Sequence, residues 1–331
     1  MQWSERGAGR CGDAGPGRRA AAYSAHAHRH RHGPGAWFVD RIGGWAEVGG
    51  VAGRGFEAYA RILHPIDASR SDLERRDEWG YPLHVEDARW PWAEVARRNG
   101  KVMHPLVQWR RLTADERRMD WPDGWSTAQS REGWLDPRLL GELVTLLGAA
   151  TTTPDDLVAG VWIGWGGGEA IYFRAVDDDD ATDDIAATAE RDALHESGLA
   201  MLAERERARR EAQESGYEEA RTAGPHLEIP GREFVLFETD VQRLADPDWG
   251  YRDGLGWAMG HRDPSLQLLW PEDHAWVLAS EIDWDSTIVA GDRRLIDAVL
   301  ADPRFESYGV GEADKLSWDG DTINREASSG E

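Results

Sequence analysis

Glu281, Asp283 and Asp285 stand at every second position in AWVLASEIDWDST, near the C-terminal end of the chain. On an extended strand, carboxylates spaced by two share one face and repeat about every 7 Å, from a rise of roughly 3.3 Å per residue. Hard carboxylate oxygens on one face suit Mg²⁺, Mn²⁺ or Ca²⁺. This acidic ladder is the candidate metal site, with Mg or Mn as its cofactor and His274 or His64 as the candidate general base. Asp283-Trp284-Asp285 after an apolar run also looks like the DxD element of metal-dependent glycosyltransferases, a pattern only three residues long. The plainer alternative is a solvated strand end, with Asp285 or Ser286 opening a turn through bonds to nearby backbone N–H groups.

Such a ladder needs a strand to carry it and a helix to hold the strand. From Ala275 to Trp284 the residues alternate with period two, Trp276, Leu278, Ser280, Ile282 and Trp284 on the core face. After a turn, Leu295, Ile296, Val299 and Leu300 make one helical stripe. Gly291 or Asp292 caps its start and Asp302-Pro303 ends it. Gln267 to Leu300 is therefore the organising stretch.

Other groups compete for a role. Trp249, Tyr251 and Trp257, in a Trp/Gly/Asp-rich loop over 245–264, are candidate ligand contacts together with His274. The chain holds 18 tryptophans, eleven of them between residues 37 and 176. Most should fill core, while Trp121, Trp125 and Trp134 lie in a polar region and are candidates for exposure. His64 and His104 each precede a proline. His64 is a candidate general base or, more plainly, a structural hydrogen-bonder. Gly166, Gly167 and Gly168 follow an apolar run, but without the Lys-Ser/Thr of a P-loop they read as a turn. No nucleophile elbow and no HExxH accompanies them.

Charge narrows the partners. The formal net charge is −23 at pH 7, which argues against nucleic acid and anionic membranes. No apolar run approaches the length of a membrane span. Cys11 is the only cysteine, so no disulfide framework forms within one chain, and a reducing cytoplasm is the expected location. The basic N-terminus lacks the apolar region of a secretory signal. A protein or small-molecule partner is left open.

The chain divides into a low-complexity tail over 1–36, a Trp-rich α+β part over 37–176, an acidic helical insertion or linker over 177–224, and a C-terminal α+β part over 225–331 packed with 37–176 as one unit. The tail carries His26, His28, His30 and His32, loose ligands for Ni²⁺, Cu²⁺ or Zn²⁺. The insertion holds fifteen acidic residues against six arginines. Within the ordered parts, helices are expected after Pro91 and over 137–149, where Asp136-Pro137 starts an apolar stripe of leucines. Strands are expected over 56–66, 161–165, 232–241 and 305–310, and a strand or extended arm over 103–112. Residues 67–90 read as a charged loop, and the chain from Asp314 as a fraying tail. The fold class is α+β, with a mixed or mainly antiparallel central sheet, flanking helices and the charged insertion.

YARILHP at 59–65, VWIGWG at 161–166, the run from Trp270 to Thr287 and DTIN at 321–324 together resemble an actinobacterial protein family with no established activity. The resemblance implies a folded bacterial cytoplasmic protein and supplies no mechanism. Two functions follow from the residues: a binding or interaction protein using exposed tryptophans, or a divalent-metal-dependent phosphoesterase or transferase using 281–285. A nucleotide binder through the three glycines is a third.

Overall fold

The computed structural model describes residues 33, 35–165, 216–224, 226–255, 257 and 264–325. The expectations for the tail, for Gly166–Gly168 and for 177–215 lie outside the described residues. In chain order the helices are α1 Ala36–Val39, α2 Val48–Ala52, α3 Trp92–Asn99, α4 Trp109–Leu112, α5 Pro137–Ala149, α6 Gly216–Ala223, α7 Val241–Leu244, α8 Trp249–Arg252 and α9 Arg293–Ala301. The strands are β1 Ala58–Leu63, β2 Ile66–Arg76, β3 Pro82–Trp90, β4 Arg118–Asp120, β5 Trp125–Ala128, β6 Leu157–Trp162, β7 Leu227–Ile229, β8 Arg232–Thr239, β9 Leu268–Pro271, β10 Val277–Ala279, β11 Ser286–Gly291 and β12 Ser307–Val310.

An eight-stranded antiparallel sheet runs β12-β1-β11-β10-β9-β6-β8-β7. The fold is thus α+β around a large antiparallel sheet, and strands from 37–176 and from 225–331 share it. Both faces are covered, which explains why its strands read as nearly continuous apolar runs. Period two sorts them. Ala60, Ile62, Val235, Phe237, Leu278 and Val289 meet the leucines of α5 and Ile296 and Val299 of α9. Tyr59, Leu236, Trp270, Val277, Ile288 and Ala290 meet Phe38 of α1 and Val48 and Val51 of α2.

Helices form where caps and stripes agree. Asp136 accepts from the Arg138 N–H at the start of α5, with Pro137 in its first turn. Asp292 does the same for Leu295 N–H in α9. Gly100 ends α3 at φ 64°, the left-handed cap that glycine adopts without strain.

Several expectations are corrected. Residues 67–90 are no loop: β2 and β3 form a long hairpin, part of a second sheet ordered β3-β2-β5-β4. Its outer residues are charged because that hairpin is largely solvated, so no hydrophobic alternation marks it. The segment 103–112 is not a strand. It runs irregularly to α4, after which Thr113 turns the chain, with Ala114 and Asp115 at positive φ. From Asp314 to Arg325 the chain does not fray. Leu316, Asp321 and Asn324 are buried, and Leu316 N–H bonds Ala46 O at 2.9 Å. Asp321 organises this segment, accepting from His104 Nε2 at 2.8 Å and from the N–H groups of Ile323 and Asn324 at 3.0 Å each.

The strand expected over 275–284 also changes. It stops at Ala279, the chain turns with Trp284 N–H on Glu281 O at 3.0 Å, and β11 returns antiparallel beside β10. The apparent alternation through Ile282 and Trp284 was continued by turn residues. Gly133 fixes that turn. Its N–H bonds Trp284 O at 2.8 Å, its carbonyl accepts from Gln267 Nε2 at 2.9 Å, and a Cβ there would sit 2.7 Å from the Ile282 Cα.

Candidate functional site

Because β10 and β11 are joined by a turn, Glu281, Asp283 and Asp285 do not form a strand ladder. They nevertheless reach one place. All three line a cleft of about 450 Å³ at the end of the large sheet, within the size range of small-molecule sites. One wall is the acidic turn with Pro230 to Arg232. The other is the loop before α2, which carries Trp45, joined by an antiparallel backbone β-bridge between Glu47 and Lys315 to the C-terminal segment, which carries Trp318. Trp45 is 86% exposed and Trp318 65% exposed. Among the described residues Trp79 is the other strongly exposed tryptophan, and it stands on the β2–β3 hairpin away from the cleft lining.

The floor holds a buried charge pair. Arg61 is the one charged residue in the AYARIL run of β1, and its side chain is 1% exposed. Its Nε donates to Ser286 Oγ at 2.9 Å, and Nη1 donates to the carbonyls of Pro105 and Val107 at 3.1 and 2.7 Å. Nη2 lies 3.9 Å from Asp285 Oδ1, too far for a hydrogen bond. The other carboxylate oxygen, Oδ2, accepts from Gln129 Nε2 at 3.3 Å. Burial pushes the Asp285 carboxyl up to about 6, against the opposing pull of Arg61, and pushes Arg61 down to about 10. Both partners move toward neutrality, so the pair does not recover its desolvation.

Outside the floor, Arg232 lies against the acidic turn. Its Nη2 donates to Glu281 Oε1 at 2.6 Å and to Asp283 Oδ2 at 2.7 Å. A guanidinium thus occupies the place between those carboxylates where a divalent ion would have to enter. No group of three or more His, Cys, Asp or Glu side chains among the described residues is arranged to hold a metal.

The remaining candidates go elsewhere. Trp249 and Trp257 are buried in the same core cluster as the leucines of α5, tilted against each other at 5.2 Å between centroids, so they fill volume and cannot meet a ligand at the surface. Tyr251 is exposed, edge-on to Trp257, and outside the cleft. His274 stacks on Trp37 at 3.9 Å, and burial lowers its pKa. His64, the residue after β1, is buried. Its Nε2 meets Thr287 Oγ1 at 2.8 Å, Thr287 in turn meets Ser280 Oγ at 2.6 Å, and burial holds the imidazole near 4, neutral at neutral pH. Neither histidine lines the cleft. Trp121, Trp125 and Trp134 are half-buried, the first two packed with Trp90.

Arg61, Gln129, Arg232, Trp45 and Trp318 were not among the sequence candidates. Arg61 had a signal: a guanidinium inside an otherwise apolar strand demands a buried partner. The other four had none, because each is ordinary in its own segment and is joined to the site only by tertiary packing. No helix among the described residues is long and apolar enough to cross a membrane. No protein-family model, curated protein or solved structure matches the chain.

Proposed function

We propose that the chain is a cytoplasmic binding protein whose cleft takes a small polar molecule. One observation carries this reading: two strongly exposed tryptophans stand on the wall of a cleft floored by a buried arginine–aspartate pair. Exposed indoles supply contact area with a polar edge, and the few convergent polar groups below fix orientation. The net charge of −23 supports a small molecule over nucleic acid or an anionic membrane as partner. The test is calorimetric titration with small polar compounds of several classes, on the wild type and on Trp45→Ala and Trp318→Ala. Binding in the millimolar range or tighter, weakened in both variants, supports the reading. Absence of binding in every class sinks it.

A second reading, a metal-dependent phosphoesterase or transferase, is favoured by the convergence of Glu281, Asp283 and Asp285 on one cleft. It requires Mg²⁺ or Mn²⁺ to displace Arg232. Titrating both ions into the wild type and Asp283→Ala decides it, and no heat at millimolar metal removes it.

A further inference from the structure

Resting on the small-molecule reading of the cleft, we infer that its ligand class is neutral and polyhydroxylated, a saccharide or sugar alcohol, with one hydroxyl inserted between Arg61 Nη2 and Asp285 Oδ1 and a ring or chain face against Trp45 and Trp318. The floor is what selects this chemistry. Three of the five guanidinium N–H bonds of Arg61 are used by Ser286, Pro105 and Val107, and Nη2 has no hydrogen-bond acceptor within reach. Arg61 lines the cleft, so a ligand oxygen can supply that acceptor. The 3.9 Å gap to Asp285 is too long for direct bonding and suits one oxygen about 2.8 Å from each group. That oxygen must accept from the arginine and donate to the carboxylate. A hydroxyl does both.

Other ligand chemistries fit the floor poorly. The Arg61 side chain is 1% exposed and that of Asp285 is 9% exposed, so a single small polar atom reaches them and a phosphate with three oxygens does not. A ligand carboxylate would face Asp285 and, farther out, Glu132, while an ammonium would face Arg61. Arg232 is already occupied by both Glu281 and Asp283, one guanidinium against two carboxylates, so this wall stays net negative and does not invite an anion. Gln108 and Gln129 add amide donors and acceptors along the lining, as further hydroxyls require. The tryptophans present the apolar, polar-edged surface that the C–H face of a sugar ring covers.

The test is calorimetry with the common aldopentoses, aldohexoses, their alditols and glucose disaccharides, run beside nucleosides, simple amines and carboxylates. At least one neutral polyol is expected to bind. Its affinity should fall at least about fivefold in Asp285→Asn, where a charged acceptor becomes a neutral one, and further with the deoxy analogue lacking the inserted hydroxyl. Trp318→Ala, a change at an exposed position, should weaken binding independently. Polyol binding unaffected by Asp285→Asn and by Trp318→Ala overturns the inference, as does failure of all polyols while another class binds, an outcome that leaves the small-molecule reading intact. Failure of every class removes both.

Discussion

Replacing Asp285 by asparagine should make the protein more stable at neutral pH. In the folded state the carboxyl is buried at the cleft floor, 3.9 Å from Arg61, and burial raises it from its ordinary 3.8 to about 6. An acid whose folded pKa lies above its unfolded value binds more protons when folded. Stability contributed by the neutral form is therefore complete below about pH 4, falls as pH rises through about 6, and stays low above it. The size of the step follows from the displacement: about 2 to 3 kcal/mol at pH 7 to 8. Asparagine has the shape of the neutral acid and never ionises, so the variant escapes this loss. Urea denaturation of both proteins across pH 3.5 to 8 measures it, since all other titrating groups are shared and cancel in the difference. The two curves should coincide at the acid end and diverge by about 2 to 3 kcal/mol near neutrality. A variant equal to or less stable than the wild type at pH 8 would refute the reasoning, because the attraction of Arg61 for the carboxylate would then exceed its burial cost.

Asp321→Ala should cost about 3 kcal/mol, since it strands the N–H groups of Ile323, Asn324 and Gln108 and the His104 ring; protease sensitivity confined at first to 311–325 would accompany it. Burial alone would raise the Asp321 carboxyl, but the Asn324, His104 and Gln108 donors outweigh it and hold it below the usual range, so its contribution is present above about pH 4 and is lost as pH falls through the lowered value; the difference from the alanine variant should shrink in acid. Gly133→Ala should destabilise by more than about 1 kcal/mol, because φ is +67° and the new Cβ meets the Ile282 backbone; the same variant should weaken any ligand of the cleft by displacing the acidic turn. Leu143→Ala, in the buried face of α5, should cost about 2 to 5 kcal/mol by denaturation without touching the cleft.

How much of this was legible depended on whether local and global signals agreed. Helices α3, α5 and α9 were readable because cap, proline or glycine, and apolar stripe all pointed to the same ends. The β2–β3 hairpin was not, since a strand solvated along most of its length carries no alternation. The turn after Ala279 was misread for the opposite reason: Ile282 and Trp284 continued the alternation by chance, while Gly133, far earlier in the chain, set the bend through its close approach. The three carboxylates line one cleft, but from a turn and not from the single strand face expected of them. Trp249 and Trp257 looked like loop residues because the sequence around them is polar, yet they are buried in the same core cluster as the leucines of α5. Arg61 was legible in principle as a charge in an apolar strand.

The placement of β1 has a consequence for how the protein is made. This early strand sits between β11 and β12, and Arg61 pairs across to Ser286, 225 residues later in the chain. During synthesis its two edges have no partners until nearly all of the described residues have emerged. Contacts of such long sequence separation close late and slowly, and an unpaired apolar strand is a hazard for aggregation while it waits. The cleft inherits this order: its floor needs β1 and β11, and one of its walls needs Trp318. The ligand capture proposed for the cleft is thus a property that a nascent or C-terminally shortened chain would lack, and occupancy of the cleft would report that the sheet has closed.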